Sequence, residues 1–162
     1  MKPLLIVALG ALAVVPAALA APAFTTAPKQ AAGAVNQPKF LGMRVAAHPT
    51  FDRIVFRFAG GRPGYRVEYV PRLEQDGSGD VIPLRGSSVL KIVFQPARAH
   101  ERHTRVEAGT GAPMPNFPTL REVAAAGDFE GVVTFGAGLS RRAGFRVFGL
   151  SSPTRVVVDV SH

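Results

Sequence analysis

The 162-residue sequence contains no cysteine and no tryptophan, and it has only two tyrosines and three methionines. Without cysteine the chain has no disulfide, no thiolate metal site and no cysteine nucleophile. A lipid anchor on a cysteine is excluded for the same reason. A small domain of this composition must therefore be stabilised by its hydrophobic core alone.

Long apolar runs are absent after residue 20, which predicts no membrane span in the rest of the chain. Residues 1–20 begin with a single Lys2, continue through an apolar run, and end in Ala18, Leu19 and Ala20. A short apolar run followed by small-x-small residues is typical of a cleaved signal peptide. We therefore expect cleavage near Ala20 and a secreted or cell-wall-associated product, with a retained N-terminal anchor as the alternative.

Acidic residues are scarce, with 11 against 19 basic residues and a formal net charge of +8. Removal of Lys2 with the leader lowers this charge by one. The balance favours anionic partners such as wall polymer, lipid headgroups or nucleic acid. The basic residues are scattered, however, and Arg141 and Arg142 form the only adjacent pair. No basic run marks a nucleic-acid partner.

Residues 21–37 are rich in alanine, proline and threonine, with almost no large apolar side chain after Phe24. Such a segment buries too little surface to offset its ordering entropy, so we predict a flexible tether. Residues 38–162 contain seven to eight short alternating segments about ten residues apart, which predicts an all-β antiparallel sandwich of short strands. Within it, the segment from Leu120 to Ala126 favours a strand over a helix, and His100 to Phe117 is a long polar loop.

The stretch from Phe51 to Val70 reads FDRIVFRFAGGRPGYRVEYV. Apolar and polar residues alternate on both sides of a segment rich in glycine and proline, which predicts a β-hairpin with one apolar face. If that face packs on the core, Arg53, Arg57 and Arg66 lie together on an exposed outer sheet.

This stretch, followed by DGSG, GDFEG, FRV and the closing RVVVDVSH, resembles the AMIN-like domain of secreted actinobacterial proteins. The resemblance covers essentially all of residues 38–162. It departs from the pattern at Arg57, where an acidic residue is usual, and in lacking a lipid-bearing cysteine. The name refers to the AMIN domain of cell-wall amidases. The resemblance therefore implies a β-sandwich that binds peptidoglycan or localises envelope proteins, without a catalytic role or a cofactor.

Three residue patterns raise the alternative of a metal or catalytic site. His100 and His103 have a His-x-x-His spacing, but no third ligand is evident. The segment from Asp76 to Asp80 has carboxylates as a calcium loop does, yet it lacks the glycine and glutamate of that loop, which favours a simple turn. Asp128 and Glu130 flank Phe129 and could act as an acid and base pair in a hydrolase, although the flanking glycines favour a turn.

A binding face remains the preferred interpretation. Arginine forms a planar fork for carboxylates, and aromatic rings stack on sugar rings. The candidate ligand-binding residues are Arg53, Arg57, Arg66, Tyr65 and Tyr69. We predict a non-catalytic envelope domain that binds peptidoglycan, an anionic wall polymer or an envelope protein, without metal or cofactor. The alternatives are an adaptor that pairs through an edge strand such as Thr154 to Val160, and a hydrolase.

Overall fold

The fold consists of antiparallel β-strands in a computed structural model that describes residues 21–33, 36–99 and 116–162. No helix in these ranges is long and apolar enough to cross a membrane. The described residues form eleven strands, which are β1 (Lys29–Ala31), β2 (Lys39–Ala47), β3 (Phe51–Ala59), β4 (Tyr65–Val70), β5 (Leu73–Glu74), β6 (Val81–Ile82), β7 (Ser88–Phe94), β8 (Leu120–Phe129), β9 (Val132–Leu139), β10 (Phe145–Leu150) and β11 (Arg155–Ser161).

These strands form two main sheets that pack face to face. One sheet has five strands in the order β1-β4-β7-β9-β8, the other has four in the order β10-β11-β3-β2, and β5 pairs with β6. Eight strands have six to ten residues, and the other three are shorter. The prediction of an antiparallel β-sandwich is therefore confirmed.

Aromatic side chains from both sheets meet in the core between them. Phe40, Phe56 and Phe58 of the four-stranded sheet are at most 5% exposed. They contact Phe94 and Phe135 of the five-stranded sheet, with the centroids of Phe56 and Phe94 4.9 Å apart and those of Phe40 and Phe135 5.2 Å apart. Edge-on and tilted ring contacts of this kind contribute about 0.5–1.5 kcal/mol each beyond area burial. This core joins the two sheets without a disulfide.

The connection between β3 and β4 is not the predicted hairpin turn. β3 pairs with β2 and β11, whereas β4 pairs with β1 and β7, so the two strands belong to different sheets. Gly60 and Gly61 have φ values of 79° and 120°, which glycine adopts without a Cβ clash. The predicted turn is present, but it carries the chain across the sandwich from one sheet to the other. The hairpin prediction was therefore wrong.

The N-terminal segment 21–33 lies along one side of the sandwich. Thr25 and Phe145 exchange two backbone hydrogen bonds of 3.1 and 2.9 Å at the edge of β10. β1 then pairs with β4 at the edge of the other sheet. The ring of Phe24 lies 6.1 Å from that of Phe51. Backbone pairing and one aromatic anchor thus attach residues 21–33 to both sheets, in the segment where the sequence predicts a flexible tether.

The final strand β11 lies inside its sheet, between β10 and β3. The residues from Val156 to Val160 are all at most 1% exposed. An edge-strand partner cannot pair with a strand whose two sides are already occupied. The proposed recruitment through Thr154 to Val160 is thereby contradicted.

β8 confirms the preference for a strand at Leu120 to Ala126. Next to it, β9 carries outward glycines beneath the β5–β6 excursion. A Cβ on Gly136 would lie 2.4 Å from the side chain of the fully buried Leu73. The excursion thus covers part of the outer side of the five-stranded sheet.

Candidate binding surface

Alternation along β3 decides which side chains reach the outer side of the four-stranded sheet. Ile54, Phe56 and Phe58 are buried against the core, so Arg53 and Arg57 point outward. The register extends this side across the neighbouring strands, where Arg155 pairs with Arg57 and Arg44 pairs with Val55. We call these outward side chains the arginine face; its arginines are Arg44, Arg53, Arg57, Arg146 and Arg155.

Asp159 is the centre of this face. Its carboxylate is fully buried, and it accepts hydrogen bonds from Arg53 Nε at 2.6 Å, Arg53 Nη2 at 2.9 Å and Arg146 Nε at 2.9 Å. The side chains of Arg53 and Arg146 are 26% and 16% exposed. Hydrogen bonding to Asp159 raises the pKa of the Arg53 guanidinium. Both guanidinium groups are therefore held by one buried carboxylate and still reach solvent.

The same two guanidinium groups also lie over the faces of aromatic rings. The Arg53 guanidinium lies 5.0 Å from the ring centroid of Phe51 and 5.6 Å from that of Phe148. The Arg146 guanidinium lies 4.4 Å from that of Phe24 and 5.1 Å from that of Phe51. Stacking of this kind contributes about 0.5–1 kcal/mol per contact at exposed sites. The rings and Asp159 together restrict the rotamers of both arginines.

The remaining arginines of the face are Arg44, Arg57 and Arg155. Arg44 and Arg57 are exposed, and neither forms an ion pair within the described ranges. Arg155 donates from Nε to the carbonyl of Pro153 at 3.1 Å. Asp159 is the only carboxylate at an outward position of the four strands, so five arginines leave an excess of at least four positive charges.

Arg66 does not belong to this face. It lies on β4 in the five-stranded sheet, where it donates to both carboxylate oxygens of Glu68 at 2.7 and 2.8 Å. This pair raises the pKa of Arg66 and lowers that of Glu68. The expectation that Arg53, Arg57 and Arg66 share one outer sheet is wrong, because β3 and β4 are in different sheets.

The two tyrosines are likewise away from the arginine face. Tyr65 and Tyr69 are half-buried and pack against the core. Tyr69 donates its hydroxyl to the carbonyl of Ala143 at 2.6 Å, and the guanidinium of Arg142 lies 4.3 Å from its ring centroid. Burial raises the pKa of Tyr69 from 10.0. The five predicted site residues are therefore divided among three places.

A family model for the AMIN-like domain matches residues 38–162, which is most of the chain. The chain belongs to the AMIN-like domain family. Comparison with curated proteins and with solved structures gives no significant match. AMIN-like domains are non-catalytic binding or regulatory domains, generally extracellular or periplasmic, and they are associated with cell-wall and envelope interactions.

The motifs of this AMIN-like domain have structural roles. Asp52 of the FDRIVF motif is fully buried and accepts hydrogen bonds from the backbone N–H groups of Thr119 and Leu120, each at 2.8 Å. Its other oxygen lies 2.9 Å from Nε2 of His162, at the end of the closing motif. Asp52 thereby connects the beginning of β3, the beginning of β8 and the residue after β11.

The two acidic motifs of the AMIN-like domain form turns. In DGSG, the N–H of Gly79 donates to the carbonyl of Gln75 at 3.0 Å, which gives the predicted turn between β5 and β6. In GDFEG, Asp128 accepts from the N–H of Ala99 at 3.1 Å, and Glu130 lies in the turn with φ of 49°.

No group of three potential metal ligands occurs among residues 21–33, 36–99 and 116–162 of the AMIN-like chain. His100 and His103 lie outside the described residues. Sequence reasoning missed Arg44, Arg146 and Phe148 of the arginine face. The alternation in FRVFGL was the available signal for Arg146 and Phe148, but it does not show which strand lies beside β11.

Proposed function

We propose that this AMIN-like domain is exported and binds an anionic cell-wall polymer through its arginine face, without catalysis. The wall polymers of bacteria carry carboxylates or phosphates, and planar guanidinium groups bind both by paired hydrogen bonds. Export is supported by the predicted signal peptide at residues 1–20 and by the usual location of the family. The single observation that carries the proposal is the fixed, outward-facing pair of Arg53 and Arg146 around Asp159.

The fixed pair reduces the entropy cost of ligand binding. A long arginine side chain loses up to about 2 kcal/mol of rotamer freedom when it is immobilised. For Arg53 and Arg146 this cost has already been met on folding, because Asp159 and the neighbouring rings hold them. Arg44 and Arg57 then add exposed charge on either side. This combination favours a repeating anionic polymer over a single small ion.

The test is co-sedimentation of the purified protein with purified actinobacterial cell walls across a salt series. The informative variant is Arg44→Gln with Arg57→Gln. Its matched control is Arg66→Gln with Arg72→Gln, which removes the same charge from the five-stranded sheet and the adjoining loop. Each lost contact on the face should cost about 1 kcal/mol, or roughly a fivefold weaker binding.

Weaker binding of the face variant alone, with residual binding of the unaltered protein at high salt, would support the proposal. Exposed charges are screened beyond about 8 Å at 0.15 M salt, so the control substitutions should have little effect on a contact made by the arginine face. Equal loss in both variants would therefore mean that net charge alone is responsible. No sedimentation at any salt would contradict wall binding and favour an envelope protein as the partner. Release of soluble wall fragments that is abolished by Asp128→Asn would contradict the non-catalytic assignment.

A further inference from the structure

A polar concavity lies at the end of the sandwich, away from the arginine face. Its walls are the end of β4, the beginning of β7 and the loop between β9 and β10, and its volume is about 400 Å³. The lining residues are Tyr69, Val70, Pro71, Ser87, Ser88, Val89 and Arg142. Small-molecule sites have volumes of about 300–1,000 Å³, so the concavity has room for one sugar ring. We call it the Tyr69 groove.

The Tyr69 groove contains the guanidinium group of Arg142, which is oriented by a ring and has unused hydrogen-bond donors. Arg142 stacks on the ring of Tyr69 at 4.3 Å, and the hydroxyl of Tyr69 is fixed by the carbonyl of Ala143. Arg142 donates no hydrogen bond to any residue in the described part of the chain. Its guanidinium fork is therefore oriented by the ring and available for a planar anion.

Hydroxyl groups and apolar surface complete the groove. Ser87 donates its hydroxyl to the carbonyl of Ser140 at 2.8 Å, which leaves the oxygen lone pairs of Ser87 as acceptors. The hydroxyl of Ser88 supplies a further donor and acceptor beside it. Val70 and Val89 provide apolar contact. A sugar ring has this mixture of hydroxyl groups and apolar C–H faces, whereas a simple inorganic anion has only the charge.

The charge of the groove selects an acid over a neutral sugar. No carboxylate is among its lining residues, and Arg141 lies close enough to act on the phenol of Tyr69 together with Arg142. From this geometry we propose that the Tyr69 groove binds one carboxylate-bearing sugar unit, with the carboxylate on Arg142. This rests on the proposed function, because it names the wall component that a second site would take.

The experiment follows the ¹⁵N amide signals of Val70, Ser88 and Val89 in the purified protein while a soluble sugar is added. The probes are N-acetylmuramic acid, glucuronic acid, the neutral N-acetylglucosamine and acetate. We expect both sugar acids to shift these signals. The neutral sugar and acetate should bind at least about tenfold more weakly, because each lacks one of the two kinds of contact.

The variant Arg142→Gln should weaken binding of the sugar acids about tenfold or more, and Arg98→Gln, which removes the same charge from an exposed position beyond the other end of β7, should leave it unchanged. Tyr69→Phe keeps the ring beneath Arg142 and should retain most binding, whereas Tyr69→Leu should lose it. A loss confined to Tyr69→Leu and Arg142→Gln would assign Tyr69 as the positioning residue.

Equal binding of the neutral sugar, equal binding of acetate, or an unchanged affinity in Arg142→Gln would each overturn the inference, and so would the absence of any shift. Wall sedimentation separates this failure from failure of the proposed function. If sedimentation still depends on Arg44 and Arg57 while sugar acids do not bind the groove, the arginine face stands and the groove proposal falls. If sugar acids bind the groove but walls do not sediment through the face, the reverse holds.

Discussion

Replacing Asp159 by asparagine separates the two roles of the ion cluster on the arginine face. The substitution keeps the shape of the side chain but removes the charge that Arg53 and Arg146 share. Hydrogen bonds to charged groups contribute about 1.5–3 kcal/mol each, and removal of one partner from a buried ion pair costs about 3–5 kcal/mol. The arginines still reach solvent, at 26% and 16% exposure, and can be partly rehydrated. We therefore expect the free energy of unfolding to fall by about 2–4 kcal/mol.

Urea unfolding of Asp159→Asn measures this loss. The matched control is Asp80→Asn, which makes the same chemical change in the exposed turn between β5 and β6. The control should change stability by less than about 0.5 kcal/mol, as is usual for exposed positions. A loss below about 1 kcal/mol in Asp159→Asn would refute the reasoning that the buried carboxylate is a principal contact of this sheet.

Two explanations of wall binding predict opposite changes in the affinity of Asp159→Asn for walls. Asp159→Asn raises the positive charge of the face by one, so binding driven only by charge should strengthen. Binding that depends on oriented guanidinium groups should weaken, because Arg53 and Arg146 lose their common acceptor. The comparison is made at a temperature where both proteins are folded. Stronger sedimentation of Asp159→Asn than of Asp80→Asn would contradict the role assigned to the fixed arginine pair.

Three further outcomes test the packing of the fold. Gly138→Ala should cost about 1–3 kcal/mol in urea unfolding, because its Cβ would lie 2.1 Å from the carbonyl oxygen of Arg85; an unchanged midpoint would contradict the close approach. In Tyr65→Phe, ultraviolet titration of the remaining Tyr69 should give a midpoint above 10.0. Because the folded state favours the neutral phenol, the stability that Tyr69 contributes should be lost as the pH rises through that midpoint. Phe24→Ala should lower stability by about 1–2 kcal/mol, since a half-buried ring loses part of the cost of a core phenylalanine; no loss in urea unfolding would mean that the N-terminal segment is not anchored.

The alternation of residues predicted the strands, but it could not predict their partners. The segment from Gly60 to Gly64 supplies the turn residues that a hairpin needs, and a crossing between sheets needs the same residues. Both strands of a hairpin and both strands of a crossing present alternating apolar residues. What decides between them is the pairing of β3 with β11, about a hundred residues later in the chain. Local sequence does not contain this information.

The position of β11 was more accessible to sequence reasoning. Val156, Val157 and Val158 follow one another without alternation, and a continuous β-branched run is typical of a strand that is buried on both faces. Such a strand lies within a sheet, as β11 does. Position in the chain does not determine position in a sheet.

The residues that define the family resemblance hold the fold together, and this limits what the resemblance says about a ligand. Asp52 and Asp159 are fully buried with their hydrogen bonds directed to the chain itself, and the DGSG and GDFEG motifs form turns. Of the arginines in the two candidate sites, Arg53, Arg57, Arg146 and Arg155 lie inside the motifs, whereas Arg44 and Arg142 lie outside them. We therefore expect Arg44 and Arg142 to be positions where a ligand preference can change while the motifs are kept. Substitutions there should change binding with little effect on stability, whereas substitutions of the motif carboxylates act on the fold first.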